Sequence, residues 1–191
     1  MTFGAGLNDV SASKTIEKAF SFRKLSAVVL IINSPGGSPA QSSLIAARIK
    51  RLAKKNKTHV LAFCEDVAAS GGYWLACAAD EIFADENTII GSIGVISSGF
   101  GFHELIERQG IERRVYTSGE DKSILDPFRP QKQADIKKLK KLQGQIHENF
   151  ISHVKLSRGE KIKSENIFSG EFWLANEALD KGLIDGVGHL E

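Results

Sequence analysis

The chain has 191 residues, 42% of them hydrophobic and 25% charged, which is the composition of one ordinary globular domain. The formal net charge of +2 is too small to indicate a nucleic-acid partner. No stretch approaches the roughly 20 apolar residues of a membrane span, and the first residues lack a signal-peptide pattern, so a soluble chain is expected. Cys64 and Cys77 have small apolar neighbours and are interpreted as buried free thiols.

Helix-like and strand-like segments alternate along the chain, after an unpatterned lead-in over residues 1–12. Helical periodicity predicts helices over 13–25, 42–56, 71–79, 102–110 and 131–157, with a last helix from about Ala175. Apolar and β-branched runs predict strands over 27–34, 58–63, 81–84, 93–97 and 111–118, with a short strand before the last helix. This alternation predicts an α/β fold with a mainly parallel sheet.

Two of these segments also predict which side chains are buried. The continuous run AVVLIINS over 27–34 is typical of a strand that is buried on both faces of a parallel sheet. The amphipathic pattern over 42–56 predicts an inward face made of Leu44, Ile45, Ala47 and Leu52.

Two turns made of small residues offer sites for chemistry. The stretch NSPGGS, Asn33–Ser38, ends the first strand in a turn whose free backbone N–H groups can bind an oxyanion, although such turns are common without that role. The stretch EDVAASGG places Ser70 between a strand and a helix, where a serine is either an N-cap or a nucleophile. Position alone favours the N-cap.

A serine nucleophile needs a general base, and two residue types are available for it. Among the histidines, His103 lies at a loop-to-helix junction, which suits a base. The other four are predicted to be surface residues: His59, His147, His153 and His189. Lys122 lies in a loop flanked by glycine and proline, and it has to be neutral to act as a base, which burial in an apolar site provides.

Four stretches occur in the order AVVLIINSPGGS, EDVAASGGYWLACAADEIFA, TIIGSIGVIS and GEDKSILDPF, and FSGEFWLANEALDKGLID follows them. Together they resemble the signal peptide peptidase SppA family, the bacterial Ser-Lys serine peptidases, over about residues 27–190. The resemblance implies the ClpP/crotonase-like α/β fold and one serine-peptidase domain over 1–191. Family members usually have a further strand, and often a membrane anchor, before the first helix, so we expect that a longer protein carries them.

The resemblance also implies roles for particular residues. The nucleophile falls on Ser70, the general base falls on Lys122, and Ser92 falls on the residue that orients the lysine amine. The backbone N–H of Gly37, helped by that of Gly71, falls on the oxyanion hole. The implied reaction is hydrolysis of hydrophobic peptides, such as cleaved signal peptides, through an acyl-enzyme and without a metal or cofactor.

The resemblance further implies an assembly and a location. Family members of this size resemble ring or dome oligomers in which neighbouring protomers share an active site, so a homo-oligomer is expected. The expected partners are hydrophobic peptides and not nucleic acid, with membrane proximity in a full-length protein. That protein is expected at the bacterial inner membrane, with the cytoplasm as the alternative. Ile93 and Val95 are candidates for lining the apolar substrate pocket.

Other interpretations of the same residues stay open. One is a ClpP-like Ser-His-Asp peptidase that uses Ser70 and His103, which leaves the GEDKS loop unexplained. Another is a non-catalytic peptide-binding scaffold of the same fold, which would not react with an active-site serine probe. Acyl-CoA chemistry of the crotonase kind is weaker, because it does not require the pair of Ser70 and Lys122.

Overall fold

The structure, a computed structural model, describes residues 6–119 and 122–190, and these ranges contain six α-helices and six strands. The helices are α1 (Asp9–Ala19), α2 (Pro39–Asn56), α3 (Gly71–Ala76), α4 (His103–Arg108), α5 (Gln133–Arg158) and α6 (Ala175–Asp180). The strands are β1 (Ala27–Ser34), β2 (His59–Ala69), β3 (Glu81–Ala84), β4 (Ile89–Gly91), β5 (Phe172–Leu174) and β6 (Gly186–Val187). Two 3₁₀ turns, Gly159–Lys161 and Glu165–Phe168, follow α5.

The chain divides into two compact units. The first unit consists of residues 1–94 and 147–191 and holds the six-stranded sheet, and the second unit consists of residues 95–146 and holds α4 and the first part of α5. The single peptidase domain expected over 1–191 stays a prediction.

The sheet of the first unit is organised around β2. Its strand order is β5-β4-β2-β3-β6, and β1 pairs with β2 outside this path. All pairings are parallel except that of β4 with β5. Because β2 is long, β3 pairs with its residues 61–64 and β4 pairs with its residues 67–69. The predicted α/β fold with a mainly parallel sheet is confirmed.

Strand β1 is less covered than its sequence suggests. Val28 and Ile32 are buried, but Val29 and Ile31 keep 38% and 59% of their surface exposed. The expectation that this strand is buried on both faces is therefore wrong for the chain as described. The reason is that alternate residues of a strand point to opposite faces of the sheet, and in the described part of the chain only the face with Val28 and Ile32 is covered.

Helix α2 packs on the core through a face that is rotated from the predicted one. Its buried side chains are Ser42, Ile45, Ala46 and Ile49. Leu44 and Ala47, which were predicted to face inward, are exposed. The small side chains of Ser42 and Ala46 allow α2 to pack closely against α3. This close packing decides which face of α2 turns inward, although Leu44 is more apolar than Ser42.

Other boundaries differ for physical reasons. Helix α1 begins at Asp9, before the predicted 13, because the Asn8 side chain caps it by accepting hydrogen bonds from the N–H groups of residues 10 and 11. The strand expected at 93–97 lies instead at Ile89–Gly91, where parallel pairing with β2 is available. The strand expected at 111–118 is also wrong, because this segment pairs with no strand in the described chain.

The second unit has little interior. None of its described residues is buried. Ile96, Phe100 and Tyr116 keep 87%, 80% and 91% of their surface exposed. The rings of Phe102 and Phe128 stack with their centroids 5.6 Å apart, which forms a small local cluster instead of a core. So much exposed apolar surface is typical of a region that contacts another molecule.

Candidate active site

Ser70 connects β2 to α3 in a conformation that is rare for a residue with a side chain. Its backbone has φ 51° and ψ −120°. Such a conformation costs about 1–3 kcal/mol and persists only where surrounding contacts enforce it. Here the Ser70 N–H donates to the Gly91 carbonyl at 2.8 Å, and the Ser70 carbonyl accepts from the N–H of Trp74 at 2.9 Å.

The side chain of Ser70 is not used to cap the helix. Ser70 occupies the N-cap position of α3, but its side chain makes no capping hydrogen bond, and the residue is half-buried. A strained serine in a sharp strand-to-helix turn is the arrangement by which α/β-hydrolases present a nucleophilic Oγ. The local geometry thus favours the nucleophile over the N-cap.

The Pro-Gly-Gly turn after β1 lies directly against Ser70. Gly36 has φ 119°, and a Cβ added to it would lie 2.9 Å from Ser70 Cβ and 3.0 Å from the backbone N of Gly71. A Cβ added to Gly71 would in turn lie 3.0 Å from the backbone N of Gly37. The absence of side chains therefore brings the amides of Gly37 and Gly71 close together beside Ser70, and their role as an oxyanion hole stays a prediction.

Ser92 lies next to Ser70 because of the sheet register. Strands β2 and β4 are parallel, with Ala69 paired to Gly91, so the residue that follows each of them leaves the sheet at the same level. Ser92 also has positive φ, at 51°, and its N–H donates to the Glu171 carbonyl at 2.6 Å. The structure thus brings four of the five predicted site residues into one region of the first unit.

The predicted base lies in the other unit. Lys122 is exposed, and its backbone N–H donates to the Gly119 carbonyl at 3.3 Å. Two residues of the GEDKS motif, Glu120 and Asp121, lie outside the described residues. The pairing of Ser70 with Lys122 stays a prediction. The alternative base, His103, opens α4 in the same second unit, so its pairing with Ser70 stays untested as well.

Two histidines that were predicted to be surface residues are half-buried. The Nε2 of His147 lies 3.0 Å from the Ile93 carbonyl, and the Nε2 of His153 lies 2.9 Å from the Trp74 carbonyl. Burial lowers the pKa of His153 to about 4, so this ring is neutral near pH 7. The signal that was missed is helical spacing, since His147 lies three residues before the buried Phe150.

An ionic cluster of Arg158, Lys161 and Asp185 lies close to the last strand of the first unit. Arg158 is buried and donates to both carboxylate oxygens of Asp185, at 2.7 and 3.1 Å, and Lys161 donates to the same group at 2.6 Å. Burial alone would raise the pKa of Asp185, but the hydrogen bonds from Arg158 and Lys161 lower it to about 2. This cluster attaches the end of α5 to the sheet. Its residues lie far from Ser70 in the sequence.

The remaining candidate residues have structural explanations. Cys64 and Cys77 are buried free thiols, as predicted, and burial raises their pKa values to about 12 and about 11. Ile93 is completely buried, so it does not line an open substrate pocket. Across residues 6–119 and 122–190, no group of three His, Cys, Asp or Glu side chains is placed to hold a metal ion. None of the helices in this part of the chain is long and apolar enough to cross a membrane.

The fold and the strained serine define an α/β domain of the serine peptidase class. A solved structure, the 1510-N membrane-bound stomatin-specific protease as a lysine-to-alanine mutant in complex with a substrate peptide, superposes with a TM-score of 0.58. The superposition covers 94% of this chain and 68% of that one at 19% identity.

The chain belongs to Peptidase family S49, whose profile matches residues 52–191. It is 36% identical over 186 residues to the chloroplastic serine protease SPPA of Arabidopsis thaliana, covering 95% of this chain and 27% of that protein. It is 50% identical over 195 residues to a Brucella melitensis protein named Na(+)/H(+) antiporter NhaA, covering 100% of this chain and 26% of that protein. The chain thus spans about a quarter of the length of these two relatives.

Proposed function

We propose that the chain is the catalytic domain of an SppA-like serine endopeptidase that works with a Ser-Lys dyad. Ser70 is the nucleophile, Lys122 is the general base, and Ser92 orients the lysine amine. The backbone N–H groups of Gly37 and Gly71 hold the oxyanion of the tetrahedral intermediate. Ser70 Oγ loses its proton to Lys122 Nζ and attacks the peptide carbonyl. The C–N bond then breaks, the amine product leaves with the proton from Lys122, and the acyl-enzyme remains. Water, deprotonated by Lys122, attacks the ester, and the acid leaves as Ser70 regains its proton.

The observation that carries this proposal is the strained turn at Ser70. Its φ of 51° is enforced by two backbone hydrogen bonds, and the Gly36–Gly37 turn lies against it without side chains. Membership in Peptidase family S49 supports the same role, because the matched residues 52–191 contain both Ser70 and Lys122. The chain covers only 26% of the Brucella relative, so we do not propose the antiporter activity in that protein's name for this chain.

We further propose that a complete site needs more than one copy of the chain. A lysine is neutral only in surroundings that are poor in water, yet Lys122 is exposed in the single chain. It also belongs to a unit without any buried residue among those described. A neighbouring copy that covers this unit supplies the missing burial, which supports the expected homo-oligomer with sites shared between protomers.

Labelling with a fluorophosphonate probe tests the dyad. We expect the wild type to label, and Ser70→Ala and Lys122→Ala to lose labelling. Lys137→Ala is the matched control, because Lys137 is also an exposed lysine of the second unit. Loss of labelling in His103→Ala with retention in Lys122→Ala would instead establish the Ser-His alternative. A folded wild type that never labels would favour the peptide-binding scaffold.

Mixing two inactive variants tests the shared site. A Ser70→Ala protomer still carries Lys122, and a Lys122→Ala protomer still carries Ser70. If neighbouring protomers share a site, mixing the two variants after dissociation and reassembly restores part of the turnover. If each protomer has its own complete site, the mixture stays inactive, while light scattering reports whether mixed oligomers formed.

The substrate and the location follow from the same proposal. Hydrophobic peptides, including cleaved signal peptides, are the proposed substrates, and a library of fluorogenic peptides with apolar and charged residues at each position would define the preference. Association with the bacterial inner membrane is proposed, with the cytoplasm as the alternative. Fractionation of cells that contain the natural protein, with detection by an antibody to this domain, distinguishes the two locations.

A further inference from the structure

The turn that carries Ser92 is held in a strained shape and also supports Ser70. Ser92 has φ 51°, and the carbonyl of Gly91, the residue before it, accepts the hydrogen bond from the Ser70 N–H at 2.8 Å. Any movement of this turn therefore displaces both the backbone of the proposed nucleophile and the hydroxyl of Ser92. What fixes the turn is thus important for the reaction.

Two attachments hold the turn from different elements. On one side, the Ser92 N–H donates to the Glu171 carbonyl at 2.6 Å, next to β5. On the other side, the His147 side chain on α5 reaches the Ile93 carbonyl, with 3.0 Å between Nε2 and the oxygen. A carbonyl oxygen only accepts hydrogen bonds, so His147 Nε2 carries the proton and donates it. The side chain of Ile93 is fully buried, which fixes the same residue in the core.

We propose that His147 is a positioning residue, whose Nε2–H fixes the Ile93 carbonyl and so holds the turn that orients Ser92 and supports Ser70. This inference rests on the proposed function of the Ser70 site. His147 does not touch the reacting atoms; it acts through the backbone of residues 91–94. A histidine that served stability alone would affect folding without a selective effect at this turn.

The same helix offers a matched control. His153 makes an equivalent bond from Nε2 to a carbonyl, that of Trp74, at 2.9 Å, and its ring stacks on the Trp74 ring with centroids 4.9 Å apart. His147→Phe and His153→Phe each remove one such donor and keep an aromatic ring. His147→Gln restores a donor, because a glutamine amide reaches about as far from the backbone as an imidazole Nε2.

The experiment has one readout that does not depend on turnover. Hydrogen–deuterium exchange is measured in the segment 91–94 for the wild type and the three variants. We expect His147→Phe to raise exchange there roughly tenfold, as the loss of one hydrogen bond allows, and we expect His147→Gln and His153→Phe to stay near the wild type. Unchanged exchange in His147→Phe would overturn the inference.

The second readout is turnover of a hydrophobic fluorogenic peptide. His147→Phe is expected to lower kcat roughly tenfold with KM within about twofold, and His147→Gln is expected to restore most of it. A kcat in His147→Gln as low as that of His147→Phe would also overturn the inference. A wild type without any turnover would refute the proposed function instead, while exchange at 91–94 would still decide the role of His147.

Discussion

Replacing Gly36 by alanine perturbs the candidate active site directly, because this residue has φ 119° and lies against Ser70. A Cβ at this position would lie 2.9 Å from Ser70 Cβ and 3.1 Å from Ser70 Oγ. Comfortable contacts between such atoms are about 3.5–4.0 Å, so the turn has to move away by about half an ångström or more. The amide of Gly71, 3.0 Å from the new Cβ, is displaced in the same movement.

The size of the effect can be estimated from these contacts. An alanine in this region of φ costs about 1–3 kcal/mol, which corresponds to a decrease of roughly 2–12 °C in the melting temperature of a chain of this size. Displacing one donor of an oxyanion hole lowers the rate about 100-fold. We therefore expect Gly36→Ala to remain folded and to react with a fluorophosphonate probe about 100-fold more slowly than the wild type.

The assay combines thermal unfolding with the rate of probe labelling at Ser70. Gly144→Ala is the control, because Gly144 lies in α5 and a Cβ added to it meets nothing within 4 Å. This control should label normally and gain roughly 0.5–1 kcal/mol in stability, since alanine favours the helix. If Gly36→Ala labelled as fast as the wild type, the assignment of the Gly36–Gly37 turn to the site would be refuted.

Three further predictions concern the interior of the first unit. Arg158→Met removes the main partner of the half-buried Asp185 carboxylate, which keeps its bonds to Lys161 and to the Ile82 N–H, and should lower the free energy of unfolding by about 1.5–3 kcal/mol. A loss below about 0.5 kcal/mol in urea titrations would contradict the assigned ion pair. Tyr73→Phe removes the 2.7 Å hydrogen bond to the Leu183 carbonyl and should cost about 1–2 kcal/mol in the same titrations; a variant as stable as the wild type would argue against that bond. Because the pKa of His153 is about 4 in the folded chain, the unfolded chain takes up its proton first as the pH falls. Stability should therefore decrease between about pH 6.5 and about pH 4, by about 2 kcal/mol, and His153→Phe should show a flatter dependence in unfolding measured across that range.

Local sequence patterns predicted most of the regular elements. The β-branched run 27–34 is a strand, residues 81–84 are a strand, and the helix expected at 131–157 spans Gln133–Arg158. These elements follow from interactions within a few residues, namely side-chain periodicity and backbone preference. The same kind of information located the Pro-Gly-Gly turn and the serine turn, and the family motifs pointed to Ser70 and Ser92.

Burial was predicted less well, because it depends on neighbours that are distant in the sequence. Ile31 is as β-branched as Ile32, yet Ile31 is 59% exposed and Ile32 is 6% exposed. Leu44 faces outward while the smaller Ser42 is buried, because close packing of α2 against α3 rewards small side chains. The partial burial of His147 and His153 was not predicted for the same reason, because each histidine bonds to a carbonyl more than 50 residues away in the sequence.

The sequence by itself determined the order of the elements, the α/β class and the identity of the candidate nucleophile, because these depend on local periodicity and on short motifs. Only the tertiary structure decided how the site is built. Parallel pairing of Ala69 with Gly91 places Ser92 beside Ser70, and close approach of two glycine turns brings the amides of residues 37 and 71 together. Register and backbone approach are properties of segments separated along the chain, so they are fixed only when the sheet forms.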